Sequence, residues 1–237
     1  MLGVLIAVVI LVYLIASVAW SVFLRRYRKT LIRGVGVLAS FILSLIGAFI
    51  AKSVVSGQDF IDGTLMPLVE GNLPQEILDL LNASPAMFET GIGLVIALIV
   101  PLVMLILFLV FNFFAWIVYL LISLLRGSAM KEKDQAEDKP SYEFPLTIGL
   151  AVVQSLLVVL VWMVPVATYA QIGNLALDGI TQADVMDDGT QDMLESIHRD
   201  YVEPIDQNVV VGFFRLIGAG PISDSLTSFT VRGESIQ

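Results

Sequence analysis

The sequence has no cysteine and a single histidine, His198. The first absence excludes disulfides, thiol catalysis, thiolate zinc sites and iron–sulfur clusters. The second excludes a histidine-built metal site within one chain. Charge is scarce too: Asp, Glu, Lys and Arg make up 15% of the 237 residues, against about 25% in ordinary soluble domains. The net charge of -9 argues against nucleic acid as a partner. Nothing resembles a phosphate-cradling glycine loop, an H-E-x-x-H helix or a nucleophile elbow. Neither an enzyme nor a cofactor is expected.

What is abundant is apolar. Hydrophobic residues are 57% of the chain and the mean hydropathy is +0.87. They come in uninterrupted blocks rather than periodic stripes, which is the pattern of a membrane protein. Four blocks, at about 1–24, 35–55, 93–125 and 144–169, are long enough to cross, since a helix rises ~1.5 Å per residue and the hydrocarbon core is ~30 Å thick. The expected fold is an all-α integral membrane protein with four transmembrane helices and a small helical extracytoplasmic C-terminal region. A signal peptide carries its basic segment ahead of its apolar run. Here the basic residues follow the run, so the first block reads as a span.

Those basic residues, Arg25, Arg26, Arg28, Lys29 and Arg33, form a turn at 24–34. They fix orientation, close a hairpin between the first two spans, and offer a contact for anionic lipid headgroups. In the second span Gly36, Ser40, Ser44 and Ala48 recur every fourth residue. Small residues at that spacing share one helix face and let backbones approach closely. Ser17 and Ser21 offer a matching small face on the first span. Lys52 sits near the outer end of the second span, where its stem can snorkel.

The outer loop, 57–91, is acidic and carries no Lys or Arg. Pro74 opens a short amphipathic stretch at 75–81. In the third span Pro101 marks a kink or the end of a lead-in. Asn112 in this span and Gln154 in the fourth fall at comparable depth. Two readings stand for this polar pair: a hydrogen-bonded clasp, or separate satisfaction of each amide by its own neighbours. The linker at 126–143 mixes Lys131, Lys133 and Lys139 with acidic residues and reads as solvated. With Arg126, the two basic connections hold nine of the 13 Lys and Arg. The positive-inside rule makes them cytoplasmic and puts both termini outside.

The tail at 171–237 is then acidic and extracytoplasmic, with short amphipathic helices. One is expected at 190–202, ended by Pro204, with His198 exposed on it. The apolar run at 209–217 is too short to span and docks on the membrane surface or beneath the tail. A last short helix is expected at 222–229. The twelve residues 184–195 approach a calcium loop: Asp184, Asp188, Asp192 and Glu195 fall on liganding positions and Gly189 on the turn. Met186 stands where a ligand is needed, and two glycines weaken the incoming helix. No metal site is therefore assigned.

The order of features resembles the colicin V production protein family. The likeness lies in the uncharged first helix, the basic turn ending in Arg33-Gly34, the Ser/Gly/Ala-rich second helix and the long third helix. Gly149, Gln154 and Pro165 in the last helix add to it, as does the tail with Phe213-Phe214-Arg215-Leu216-Ile217-Gly218 and Leu226-Thr227-Ser228-Phe229. The resemblance implies a bacterial inner-membrane accessory or assembly protein that acts in bacteriocin production, export or envelope homeostasis. Its partners would be the lipid bilayer and further copies or other membrane proteins. The alternative is a small oligomeric channel or transporter with a pathway near Asn112 and Gln154. Cysteines introduced singly at Ser128 and Ser196 should label with a membrane-impermeant maleimide from opposite sides of the membrane. Labelling of both from one side contradicts the expected threading.

Overall fold

The structure, a computed structural model, describes residues 2–24, 27–72, 85–125, 143–183, 196, 198–227, 229–231 and 234–236. It is almost wholly helical. The long helices are α1 (Leu2–Leu24), α2 (Tyr27–Val55), α4 (Pro85–Leu125) and α5 (Glu143–Ala183). Between α2 and α4 lies α3, which begins as Gln58–Phe60, widens to a π turn at Ile61–Leu65 and continues as Met66–Asn72. After α5 come α6, a π turn His198–Val202 running into Glu203–Asp206; α7, Val209–Phe214 with a π turn Arg215–Ala219; and α8, Gly220–Thr227. Strands β1 (Phe229–Val231) and β2 (Glu234–Ile236) pair antiparallel, Thr230 opposite Ser235.

The long helices expose a broad apolar surface. Val4, Leu5, Val8 and Val12 on α1, Ile42, Ile46 and Ile50 on α2, and Ile106, Phe113 and Phe114 on α4 are all exposed. An apolar belt of this extent fits only a lipid surround. The chain is a multi-pass membrane protein. Among the described residues, five helical stretches are long and apolar enough to cross: Gly3–Ser21, Lys29–Val55, Val95–Leu125, Phe144–Asn174 and Val209–Thr227.

α2 and α4 make the most extensive pairing, and α5 packs on both. The small-residue face of α2 is what admits α4. A Cβ on Gly36 would lie 3.2 Å from the Ala115 Cβ, and one on Gly47 would lie 2.5 Å from Leu107 Cδ1. Ser40, Ser44 and Ala48 are buried along the same face. The hydroxyls turn back on their own helix, Ser40 to the Gly36 carbonyl and Ser44 to the Phe41 carbonyl, each at 2.8 Å. They therefore add closeness rather than bonds between helices. Met104 and Phe108 of α4 fill the interior between α2 and α5.

α1 stands apart. It packs on α5, not on its sequence neighbour α2. The hairpin expected across the basic turn does not form, nor does the mating of Ser17 and Ser21 with the α2 face, because α4 already occupies that face. Ser17 instead hydrogen-bonds Ser155 of α5 at 2.8 Å. The turn itself is shorter than the sequence suggested. α2 starts at Tyr27, so Arg28, Lys29 and Arg33 belong to a helix. Arg and Lys are good helix formers, and no glycine or proline interrupts them before Gly34.

Other boundaries shift for similar reasons. The stretch expected as an outer loop is helical at 58–72 and from Pro85 on, and the 75–81 stretch lies outside the described residues. α4 continues through Pro101 and α5 through Pro165, and α5 runs on to Ala183, well past the expected end. Pro204 does not stop a helix. It sits in the first turn of Glu203–Asp206, where its missing N–H needs no partner. His198 is half-buried rather than exposed, with its Nε2 2.7 Å from Asn174 Oδ1. The linker at 126–142 and the acidic stretch at 184–195, with Asp184, Asp188, Asp192 and Glu195, lie outside the described residues.

The tail is bound to the bundle end where α1 begins and α2 ends. Asn208 caps α7, accepting from the N–H groups of Val210 and Val211 at 2.9 and 3.2 Å, and its amide donates to the Gly3 carbonyl. A Cβ on Gly3 would collide with the Pro204 carbonyl oxygen. α7 then descends until Gly218, at φ +156°, reverses it. This backbone is open only to glycine. Gly218 lies against Leu160, 3.5 Å from a Cβ to its methyls, near the middle of the α5 span. α8 climbs back along α5, tied by Thr168 to Ser223 (2.7 Å) and by Gln171 to Asp224 (3.2 Å). Lys52 Nζ donates to the Ser225 carbonyl at 2.6 Å. Both ends of the 209–227 segment thus meet the same end of the bundle.

The placement of α1 can be tested in this cysteine-free chain. Ser17→Cys combined with Ser155→Cys should form a disulfide on mild oxidation, since the two Oγ atoms are 2.8 Å apart. Ser17→Cys with Ser40→Cys should not. The reverse pattern, read on a gel after protease nicking between the helices, would place α1 against α2.

Candidate functional site

α1 carries a polar stripe in an otherwise apolar helix. Tyr13, Ser17, Trp20 and Ser21 recur at helical spacing and so share a face. That face turns toward α5. With Ala16, Arg33 of α2 and Gln154 of α5 it lines an open, partly polar cavity of about 340 Å³. Directly above, an apolar cleft of about 480 Å³ runs between Leu5–Tyr13 of α1 and Val158–Val166 of α5. Tyr13 borders both, which makes them neighbours along the α1–α5 groove, one partly polar and one apolar.

The partly polar cavity is short of hydrogen bonds. Gln154 is only 8% exposed, yet its Oε1 has no partner. Thr30 Oγ1 and Asn112 Oδ1 are likewise buried and unpartnered. A buried polar atom left unpaired costs roughly 1–3 kcal/mol, and of these three only Gln154 lines the cavity. Arg33 brings the positive charge. It is half-buried, and its Nη1 lies 3.5 Å from the backbone oxygen of Asn112. Ser155, which bonds both Ser17 and the Ala151 carbonyl, fixes the α1–α5 spacing beside it.

The sequence-expected pair does not clasp. Neither amide oxygen accepts a bond, so Asn112 and Gln154 are not joined to each other. The reason is geometric. Gln154 turns toward the α1–α2 side, its Oε1 3.9 Å from where a Gly34 Cβ would sit, while Asn112 is engaged through its backbone by Arg33. Of the basic residues expected at lipid headgroups, Arg33 lines the cavity and Lys29 is half-buried on α2. Arg25 and Arg26 lie outside the described residues. The Gly36–Ala48 face belongs to the α2–α4 interface and takes no part in the groove.

Sequence reading missed the α1 contribution. Tyr13 and Trp20 are ordinary in a span one at a time, and the signal lay in their common face with Ser17 and Ser21. It also missed Arg215 as an ion-pair member. Arg215 joins Asp206 and reaches toward the Ala167 carbonyl at 3.4 Å, which locks the descending limb to α5. Among the described residues no group of three or more metal-ligating side chains converges. Comparison with known proteins finds no family model, no curated relative and no solved structure that matches the chain.

The unpartnered amide makes a stability forecast. In detergent free of phospholipid, Gln154→Leu should leave resistance to SDS-driven unfolding within about 1 kcal/mol of the parent, because no bond of its oxygen is lost. Ser155→Ala should cost about 0.6 kcal/mol by removing the α1–α5 tie. A loss above about 2 kcal/mol for Gln154→Leu would mean that the amide is bonded.

Proposed function

We propose that the chain is a non-catalytic accessory or assembly protein of the bacterial inner membrane, of the kind that the resemblance to colicin V production proteins implies. Its role lies in bacteriocin production, export or envelope homeostasis. In this reading α1, α2, α4 and α5 cross the bilayer, and the 209–227 segment enters and leaves by one face. The basic end faces the cytoplasm and both termini face outward, as the clustering of Lys and Arg supports.

One observation favours an accessory role over a channel. The axis of the bundle is plugged with apolar side chains. Ile96, Val100, Met104 and Phe108, at successive turns of α4, are no more than 1% exposed, and they meet Val37, Val161 and Val164, which are fully buried. A conducting path needs water or a ring of polar ligands along its length. The polar cavity lies to one side of this plug, at the α1–α5 groove. Partner proteins or further copies would engage the lipid-facing surfaces, since the small-residue face of α2 is consumed within the chain. The channel reading draws its support from the unpartnered oxygens of Asn112 and Gln154 and needs a pathway assembled between subunits.

Proteoliposomes holding the purified protein should stay tight to protons and small cations, while deletion in the host should lower bacteriocin release or raise sensitivity to detergent. Ion flux that Gln154→Leu or Asn112→Leu abolishes would establish the channel instead.

A further inference from the structure

We infer that the α1–α5 groove binds an isoprenoid quinone, its ring in the partly polar cavity and its chain in the apolar cleft. This rests on the groove alone and holds whether the protein is an accessory or a channel.

Depth is the first argument. The α1 span runs Gly3–Ser21 and the α5 span Phe144–Asn174. Tyr13, which borders both cavities, is ~12 Å from the Ser21 end of its span and ~15 Å from the Gly3 end by helical rise. Val158 and Val159, on the α5 side of the cleft, stand midway along theirs. The two cavities therefore meet near the centre of the hydrocarbon, away from the headgroups of either leaflet. A phospholipid on the Leu5 side would fill the cleft with one chain and bring nothing to Gln154. A ligand that uses both cavities carries a polar head that is at home in hydrocarbon, followed by a long apolar chain.

Charge is the second. The Arg33 guanidinium is already engaged within the chain, with the Asn112 carbonyl among its partners. No Asp or Glu lines the cavity. The head it suits is neutral.

The third is the chemistry of the lining. Gln154 is more than nine-tenths buried, borders the cavity, and leaves its Oε1 unpartnered. Its last torsion is broad and two-fold, so a half-turn presents either the oxygen or the N–H groups. Such a side chain answers a quinone carbonyl in one setting and a quinol hydroxyl in the other. Tyr13 and Trp20 add aromatic walls, which suit a flat conjugated ring. The cleft beyond is aliphatic or aromatic throughout, with Ile6, Val9 and Ile10 on one helix and Val159, Trp162 and Met163 on the other. An isoprenoid alcohol matches the chain and a single hydrogen bond, but it has no ring for the aromatic walls.

Quinones quench tryptophan at short range, and the tryptophans stand at different points. Trp20 borders the cavity, Trp162 borders the cleft, and Trp116 is exposed on α4. The test titrates decylubiquinone into phosphatidylcholine vesicles holding the full chain with Trp116→Phe. Quenching should saturate. It should be deeper when Trp20 alone reports, with Trp162→Phe added, than when Trp162 alone reports, with Trp20→Phe added. Gln154→Leu should raise the half-saturating mole fraction about fivefold, as the loss of one neutral hydrogen bond implies. Val9→Phe, which narrows the cleft, should weaken decylubiquinone and spare the same ring without its chain. Quenching in simple proportion to the quinone, or a half-saturation that Gln154→Leu leaves unchanged, overturns the site. Deeper quenching of Trp162 than of Trp20 overturns the placement of the ring. Displacement by geranylgeraniol at equal mole fraction overturns the quinone as occupant, since an alcohol would then suffice.

Discussion

Inside a bilayer, burying an apolar side chain against another helix gains little over burying it in lipid. What holds helices together is close approach and the few hydrogen bonds between them. In this protein that constraint is met mainly at one place, the small-residue face of α2. Gly36 and Gly47 bring α4 close enough for Ala115 and Leu107 to touch the α2 backbone. α5 completes the trio, and everything else is appended to it. α1 lies on α5 by one serine pair and an apolar stripe. The tail lies on the opposite side of the same helix through Thr168, Gln171 and Arg215. Half of the α5 span is buried, which is why substitutions along α5 reach so many neighbours.

The long apolar blocks were legible because length alone separates a span from a soluble helix. The α2 face was legible because it repeats every fourth residue. Partner choice was not. Ser17 and Ser21 have the right chemistry for two faces, and nothing local says that α4 takes α2 first and leaves α1 to α5. Asn112 and Gln154 were legible as polar residues at one depth, but depth does not fix the direction in which an amide turns. The groove was hidden for the same reason. It exists only once three helices are placed, and Arg33, read from the sequence as an orientation signal, then acquires a second role.

The 209–227 segment is where composition and local structure pull apart. Its hydropathy suits a crossing, yet its helix is broken midway and both of its ends meet the same end of the bundle. Gly218 breaks the helix, Pro221 lies just beyond it, and Arg215 needs the Asp206 carboxylate at hand. Irregular backbone at membrane depth is tolerated only where protein surrounds it, and here Leu160 and the α5 surface provide that cover. Stability of the whole tail therefore depends on α5 being in place.

The ties made by Asn208 to Gly3 and by Lys52 to Ser225 also impose an order of construction. Gly3 precedes the four long helices in the chain, and its partner Asn208 is made only after them. Until then α1 is anchored by its contact with α5 alone. The tail closes behind α5 like a keystone, so α1 gains its second anchor only once α6 and α7 are in place. The shape of the α1–α5 groove is therefore final only after residues more than 200 positions further along the chain have docked.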